Sequence, residues 1–125
     1  MKTKKSEVDP HGAVASRVLK HFGVPNVLKI VNQELHGSSL MDLVDLFTRL
    51  GFKVLSGEMD ISCLRHVTDQ SWPAVAQLDD RLVLVTGVER ERVKFFDPVE
   101  GETEDPVSAF LARWGSQSAV VVWQE

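Results

Sequence analysis

The sequence contains one cysteine, no long apolar run and no excess of basic residues, and each of these shortages excludes a class of protein. Cys63 alone cannot form an internal disulfide or a cysteine-rich zinc site, which suits a reducing cytoplasm. The longest apolar runs, residues 82–85 and 119–123, are far shorter than the ~20 residues of a membrane-spanning helix. With 14 basic and 18 acidic residues, the net charge of −4 does not favour nucleic-acid binding.

Motifs for metals, phosphates and export are also missing. No two histidines stand at i and i+4 on one helix and none joins a His/Cys ligand pattern, so we expect no metal site; the four histidines are His11, His21, His36 and His66. No Walker-type or Gly-x-Gly-x-x-Gly loop is present, and no cofactor is expected. The basic start, residues 1–5, is not followed by the apolar segment of a cleavable signal, so we expect a cytoplasmic location.

Length and composition are those of an ordinary globular chain. The 125 residues fit one domain, and 43% hydrophobic with 26% charged residues is typical of a soluble fold with a proper core. No internal repeat or low-complexity segment divides the chain. We therefore predict a single domain over residues 1–125, with residues 1–8 as a loose N-terminal arm. The sequence does not determine the oligomeric state, although a net charge of −4 without a long apolar surface helix favours a monomer.

The spacing of apolar residues predicts helices in the first half of the chain. Helices are predicted at 11–22, at 26–35 and from Ser39 to about residue 50, and Gly23, Gly37 and Gly51 each end one. Ser39 with Asp42 resembles a capping pair at the start of the third helix. One or two helical turns are expected at 61–67, and a late helix is expected to start at Asp105-Pro106.

The second half of the chain has mostly strand-like segments. Extended stretches are predicted at 52–55, 73–78, 82–88, 93–96 and 119–123, with a hairpin tip at residues 89–91. Residues 82–85 are apolar on both faces, which is typical of a central, covered strand. Helices followed by an antiparallel sheet make the fold α+β, with N-terminal helices packed on a C-terminal sheet.

Several short motifs in this order resemble those of a known family. They are Asp9-Pro10-His11-Gly12, Gly37-Ser38-Ser39-Leu40, Leu50-Gly51-Phe52-Lys53, Pro73-Ala74-Val75-Ala76, residues 81–87 and Phe95-Phe96-Asp97-Pro98. The series resembles the papain-like, double-glycine-leader cysteine peptidase domain at the N-terminus of ABC exporters for bacteriocins and peptide pheromones. The resemblance covers residues 5–123 and implies the papain-like fold.

Residue by residue, the resemblance implies that the peptidase machinery is mostly replaced. The place of the nucleophilic cysteine is His11, that of the oxyanion glutamine is Lys5 and that of the general base is Arg81. Only the aspartate is retained, as Asp97. Because a guanidinium stays charged and cannot accept a proton, Arg81 cannot act as a base, and we expect no catalytic residue at these positions.

The resemblance therefore points to the degenerate form of the domain, found on ABC exporters of type I secretion systems. This form implies a pseudoenzyme that binds an unfolded secreted polypeptide, such as a toxin, at the cytoplasmic face of the inner membrane. It would be part of a larger transporter with transmembrane and ATPase domains. The sequence identifies neither the polypeptide nor the face that binds it. Candidate contact residues are Trp72, Trp114 and Trp123, although each could instead belong to the core.

Arg81 and Asp97 are predicted to lie on adjacent strands with the same parity about the hairpin tip. This placement brings both to one face of the sheet, and we hypothesise an Arg–carboxylate pair that ties the strands together. The other interpretation is that Arg81 points into water.

Two further functions stay open at this point. The first is an active or rewired cysteine peptidase that cleaves leader peptides with Cys63, whose helical turn also carries His66 three residues later. A buried, inert Cys63 is the alternative. The second is a stand-alone protein that recognises leader peptides.

Overall fold

The computed structural model describes residues 10–37, 39–79 and 81–124, with residues 10 and 11 described by their backbone alone. Three helices come first, and six strands with two further helices follow. In order they are α1 (Pro10–His21), α2 (Val27–Glu34), α3 (Leu40–Arg49), β1 (Lys53–Glu58), α4 (Ile61–Asp69), β2 (Ala74–Gln77), β3 (Leu82–Glu89), β4 (Arg92–Asp97), β5 (Gly101–Pro106), α5 (Val107–Arg113) and β6 (Ser118–Trp123).

The start of α3 confirms the predicted capping pair. The backbone N–H of Asp42 donates to Oγ of Ser39 at 3.2 Å, and the N–H of Ser39 donates to Oδ2 of Asp42 at 2.9 Å. This reciprocal arrangement satisfies two backbone donors that a helix start leaves without partners. A Cβ on Gly37 would lie 2.2 Å from Oδ2 of Asp42, so any larger residue there would displace this carboxylate from the cap.

The strands form one six-stranded sheet in the order β1-β6-β2-β3-β4-β5, and each neighbouring pair is antiparallel. The α+β class is confirmed. β3 lies in the interior of the sheet, and its first four residues are buried, as their apolar run predicted. β3 pairs with β4 across a hairpin in which Glu89 faces Arg92, and Arg90 takes a left-handed φ of 57° at the tip.

Both faces of the sheet are covered by helices, which extends the predicted arrangement. Alternate strand residues belong to two separate apolar clusters because successive side chains point to opposite faces. One face packs against α1, α2 and α3 through strand residues such as Val75, Leu84 and Val120. The other packs against α4 and α5 through residues such as Val83 and Phe95.

The structure corrects the predicted boundaries in the strand-rich half. β5 is a strand where the sequence analysis placed none, because its polar sequence, Gly-Glu-Thr-Glu-Asp-Pro, lacks apolar alternation. It is held instead by backbone pairing along β4, at the edge of the sheet. β1 continues to Glu58 and α4 to Asp69, beyond the predicted ends. Across residues 10–37, 39–79 and 81–124, no helix combines the length and apolar character that crossing a membrane requires.

Candidate functional site

The turn between β2 and β3 and the end of β4 bring Arg81 and Asp97 together. The backbone N–H of Leu78 donates to the carbonyl of Arg81 at 2.9 Å, which closes the turn and places Arg81 just before β3. Asp97 is the last residue of β4. Nη1 of Arg81 lies 3.1 Å from Oδ1 and 3.2 Å from Oδ2 of Asp97, so the predicted Arg–carboxylate pair is confirmed.

The carboxylate of Asp97 is almost fully enclosed, with 1% of the residue exposed. Its Oδ1 also accepts the backbone N–H groups of Val99 at 2.8 Å and of Glu100 at 3.3 Å. Burial by itself would raise the pKa of Asp97. The hydrogen bonds from the N–H of Val99, the guanidinium of Arg81 and the N–H of Glu100 outweigh burial, and the pKa is lowered. Asp97 is therefore an ionised carboxylate at neutral pH.

This pair can join two strands, but it cannot transfer a proton. The guanidinium of Arg81 has donors only and stays charged at any working pH, so it cannot take a proton from a nucleophile. The Asp97 carboxylate is committed to three donors, one from a side chain and two from the backbone. The arrangement holds the start of β3 against the end of β4.

The remaining positions named by the resemblance are only partly described. His11 lies in the first turn of α1. Lys5 lies outside the described residues. The assignment of His11 to the nucleophile place and of Lys5 to the oxyanion place therefore stays a prediction.

Cys63 lies in the first turn of α4. Its backbone N–H donates to Oδ1 of the capping residue Asp60 at 2.8 Å, and its half-buried side chain packs against the apolar cluster of α4 and α5. Cys63 and His66 are both described, and no hydrogen bond joins them.

The described histidines do not form a common site. His21 is the one with a defined partner: its Nε2–H donates to the carbonyl of Ser71 at 2.8 Å. Within the described ranges, no group of three or more His, Cys, Asp and Glu side chains is arranged to hold a metal ion.

The three tryptophans occupy different environments. Trp114 is fully buried and its indole N–H donates to the carbonyl of Ser118 at 2.9 Å, so of the two interpretations Trp114 belongs to the core and is not an exposed contact residue. Trp72 and Trp123 are half-buried and stack on each other, with ring centroids 5.2 Å apart and an interplanar angle of 19°.

Beside this stacked pair lies a pocket that the sequence analysis missed. It has a volume of about 170 Å³ and opens between the C-terminal end of α1, the loop after α4 and the middle of β3. Its lining residues are His21, Thr68, Ser71, Trp72, Pro73, Leu84, Val85 and Thr86. Because His11 and His21 stand at opposite ends of α1, about 15 Å of helix separates the pocket from His11, the predicted nucleophile place.

Comparison with known proteins identifies the relatives of this chain. The sequence profile of the Peptidase C39 family matches residues 4–125. No curated protein sequence matches the chain at a significant level.

Solved structures with the same fold include two peptidase domains of transporters and one peptidase-like domain of a toxin secretion protein. The peptidase domain of Streptococcus ComA, a bifunctional ABC transporter involved in a quorum-sensing pathway, has a TM-score of 0.76 at 20% identity, covering 95% of this chain and 96% of that one. A double-glycine-motif protease from an AMS/PCAT transporter, solved in complex with the leader peptide, has a TM-score of 0.77 at 15% identity, covering 100% and 89%. The N-terminal C39-like peptidase domain of a toxin secretion ATP-binding protein from Vibrio parahaemolyticus has a TM-score of 0.74 at 11% identity, covering 95% and 100%.

Proposed function

This chain belongs to the peptidase C39 family, and from that premise we propose that it is a catalytically inactive member which binds the unfolded substrate of an ABC-type protein exporter. It would do so on the cytoplasmic side of the membrane, as one domain fused to the transmembrane and ATPase parts of the transporter. One structural relative comes from an ABC transporter and another from a toxin secretion ATP-binding protein, and both support this setting.

The observation that carries the proposal is the ion pair between Arg81 and Asp97. By its resemblance to the active family, Asp97 occupies the position of the aspartate that orients the histidine base. Arg81 occupies the position of that histidine. A relay from nucleophile to base to orienting carboxylate needs a group that accepts a proton, and the guanidinium does not. The chain therefore keeps the fold of the peptidase but does not hydrolyse peptides.

Binding of an extended polypeptide is the function that such a scaffold keeps. One structural relative holds a leader peptide, and another belongs to a toxin secretion protein, which supports a polypeptide as the ligand. Because an unfolded ligand must be ordered when it binds, we expect modest affinity.

The test is a titration of the ¹⁵N-labelled chain, followed by amide chemical shifts, with two probes. One is a synthetic Gly- and Asp-rich polypeptide that remains unfolded, and the other is a synthetic double-glycine leader peptide. We expect shifts on one contiguous patch with the unfolded polypeptide and no cleavage of the leader peptide. The absence of shifts at millimolar polypeptide would contradict the proposal, as would hydrolysis that His11→Ala or Cys63→Ala abolishes.

The leader peptide bound to the AMS/PCAT relative favours a second candidate, a protein that recognises leader peptides without cutting them. The same titration separates the two. Tighter binding of the leader peptide than of the unfolded polypeptide, again without cleavage, would favour leader recognition.

A further inference from the structure

We propose that the pocket beside Trp72 receives one uncharged apolar side chain, of the size of leucine or phenylalanine, from a bound polypeptide. The identity of the ligand as a polypeptide rests on the proposed function, whereas the chemistry of the side chain follows from the pocket. Neither Arg81 nor Asp97 lines the pocket, which lies at the other end of α1 from His11, the predicted nucleophile place.

The size of the pocket limits its occupant to one side chain. Its volume of about 170 Å³ is close to that of an engineered cavity of ~150 Å³ that binds benzene. Pockets for drug-sized ligands and cofactors are usually ~300–1,000 Å³. A benzene-sized group therefore fits here, and a nucleotide or other large cofactor does not.

The lining favours an apolar group over a charged one. Trp72, Pro73 and Leu84 supply apolar surface, and among the described residues that line the pocket there is no Asp, Glu, Lys or Arg. The hydroxyl of Thr68 already donates to the carbonyl of Leu64 at 2.8 Å. A charged side chain would lose its hydration there without gaining an ion-pair partner.

The walls of the pocket are held in place before any ligand arrives. The His21 Nε2–H bond to the carbonyl of Ser71 joins the end of α1 to the loop after α4. Trp72 is fixed by its stacking on Trp123 and by its backbone N–H, which donates to the carbonyl of Val67 at 3.1 Å. A preformed site loses little free energy to reorganisation when it binds.

A single side chain in such a pocket cannot support tight binding alone. Burial of one leucine or phenylalanine side chain corresponds to affinity no better than roughly millimolar. The pocket therefore serves as one anchor for a longer chain that also contacts the surface around it.

The first experiment maps the site on the unmodified protein. N-acetyl-leucinamide is titrated into the ¹⁵N-labelled chain. The controls are N-acetylglycinamide, which has no side chain, and the α-amide of N-acetylaspartic acid, whose side chain is a charged carboxylate. We expect the indole N–H of Trp72 and the amides of Ser71 and Thr86 to shift with the leucine compound alone. Equal shifts with the glycine compound, or leucine-specific shifts on another surface, would overturn the proposal.

The second experiment measures the anchor in a longer ligand. Two unfolded Gly- and Asp-rich peptides are compared that differ only at one position, leucine in one and serine in the other. We expect the leucine peptide to bind the protein about tenfold more tightly. Thr86→Trp, which fills the pocket, should remove that difference, and Leu55→Trp on the exposed edge strand β1 should leave it intact.

The outcomes separate this inference from the proposed function. If the peptides bind but do not discriminate leucine from serine, the pocket assignment is wrong and the binding function stands. If neither peptide binds while N-acetyl-leucinamide shifts the Trp72 indole, the pocket assignment stands and the binding function fails. The small-molecule titration needs no variant, so it decides the question even if Thr86→Trp does not fold.

Discussion

Replacing Arg81 with methionine should lower the free energy of unfolding by about 2 kcal/mol at neutral pH. Methionine retains the unbranched apolar part of the arginine side chain and removes the donor to Asp97. The substitution thus removes, within the part of the chain that the structure describes, the only side-chain donor to a carboxylate whose residue is 1% exposed.

The magnitude follows from the exposure of the two partners. Breaking a fully buried ion pair costs ~3–5 kcal/mol. Here the side chain of Arg81 is 23% exposed, and Asp97 keeps the backbone N–H groups of Val99 and Glu100. These features reduce the cost to about 2 kcal/mol, which corresponds to a fall in Tm of about 8 °C for a domain of this size.

The assay is urea denaturation of both proteins across a range of pH. The pKa of Asp97 is lowered in the folded state, so its contribution is fully present above the unfolded value of ~3.9. That contribution is lost as the pH falls through the folded-state pKa. The difference between the native protein and Arg81→Met should therefore be largest near neutral pH and should shrink in acid.

A matched control lies on the same strand as Asp97. Arg92 pairs with Glu104, but both side chains are nearly half exposed, and exposed pairs contribute ~0–1 kcal/mol. Arg92→Met should thus cost less than Arg81→Met. A loss below about 0.5 kcal/mol for Arg81→Met, or a loss that does not change with pH, would refute the argument.

Two other stability predictions use the same urea assay. Gly37→Ala should cost about 1–2 kcal/mol because the new Cβ pushes the carboxylate of Asp42 out of the α3 cap, whereas Gly115→Ala, which meets nothing within 4 Å, should stay within about 0.5 kcal/mol. Phe110→Ala should cost about 3–5 kcal/mol because that ring is fully buried, and Leu111→Ala, at a 37% exposed neighbour, about 1 kcal/mol at most. Equal effects within either pair would contradict these assignments.

Local patterns predicted much of the fold. The apolar stripes of α1 and α3 correspond to faces that are buried, and the spacing of Ser39 and Asp42 specified the cap. The Arg81–Asp97 pair was hypothesised from strand parity, but the hairpin register alone does not explain it. With Glu89 facing Arg92, residues 81 and 97 would lie on opposite faces of the sheet. The irregularity between Val85 and Gly87 shifts the register by one residue, and this shift brings Arg81 and Asp97 to one face.

Features that depend on distant segments were not predictable in this way. β5 is a strand because it pairs with β4, and its own polar residues carry no apolar alternation. The apolar run of β3 indicated cover on both faces without indicating that α4 and α5 provide it on one of them. The pocket combines His21 with Trp72 and Leu84, which are brought together only by tertiary packing.

The most direct measurement of the central claim is the intact mass of a double-glycine leader peptide after long incubation with the purified chain. The variant with Lys5→Gln, His11→Cys and Arg81→His, which restores the residue types of the active family, is incubated in parallel. We predict an unchanged peptide mass with the native chain. Products cut after the double glycine by the native chain, in amounts proportional to protein concentration, would contradict a domain that binds polypeptides without cleaving them.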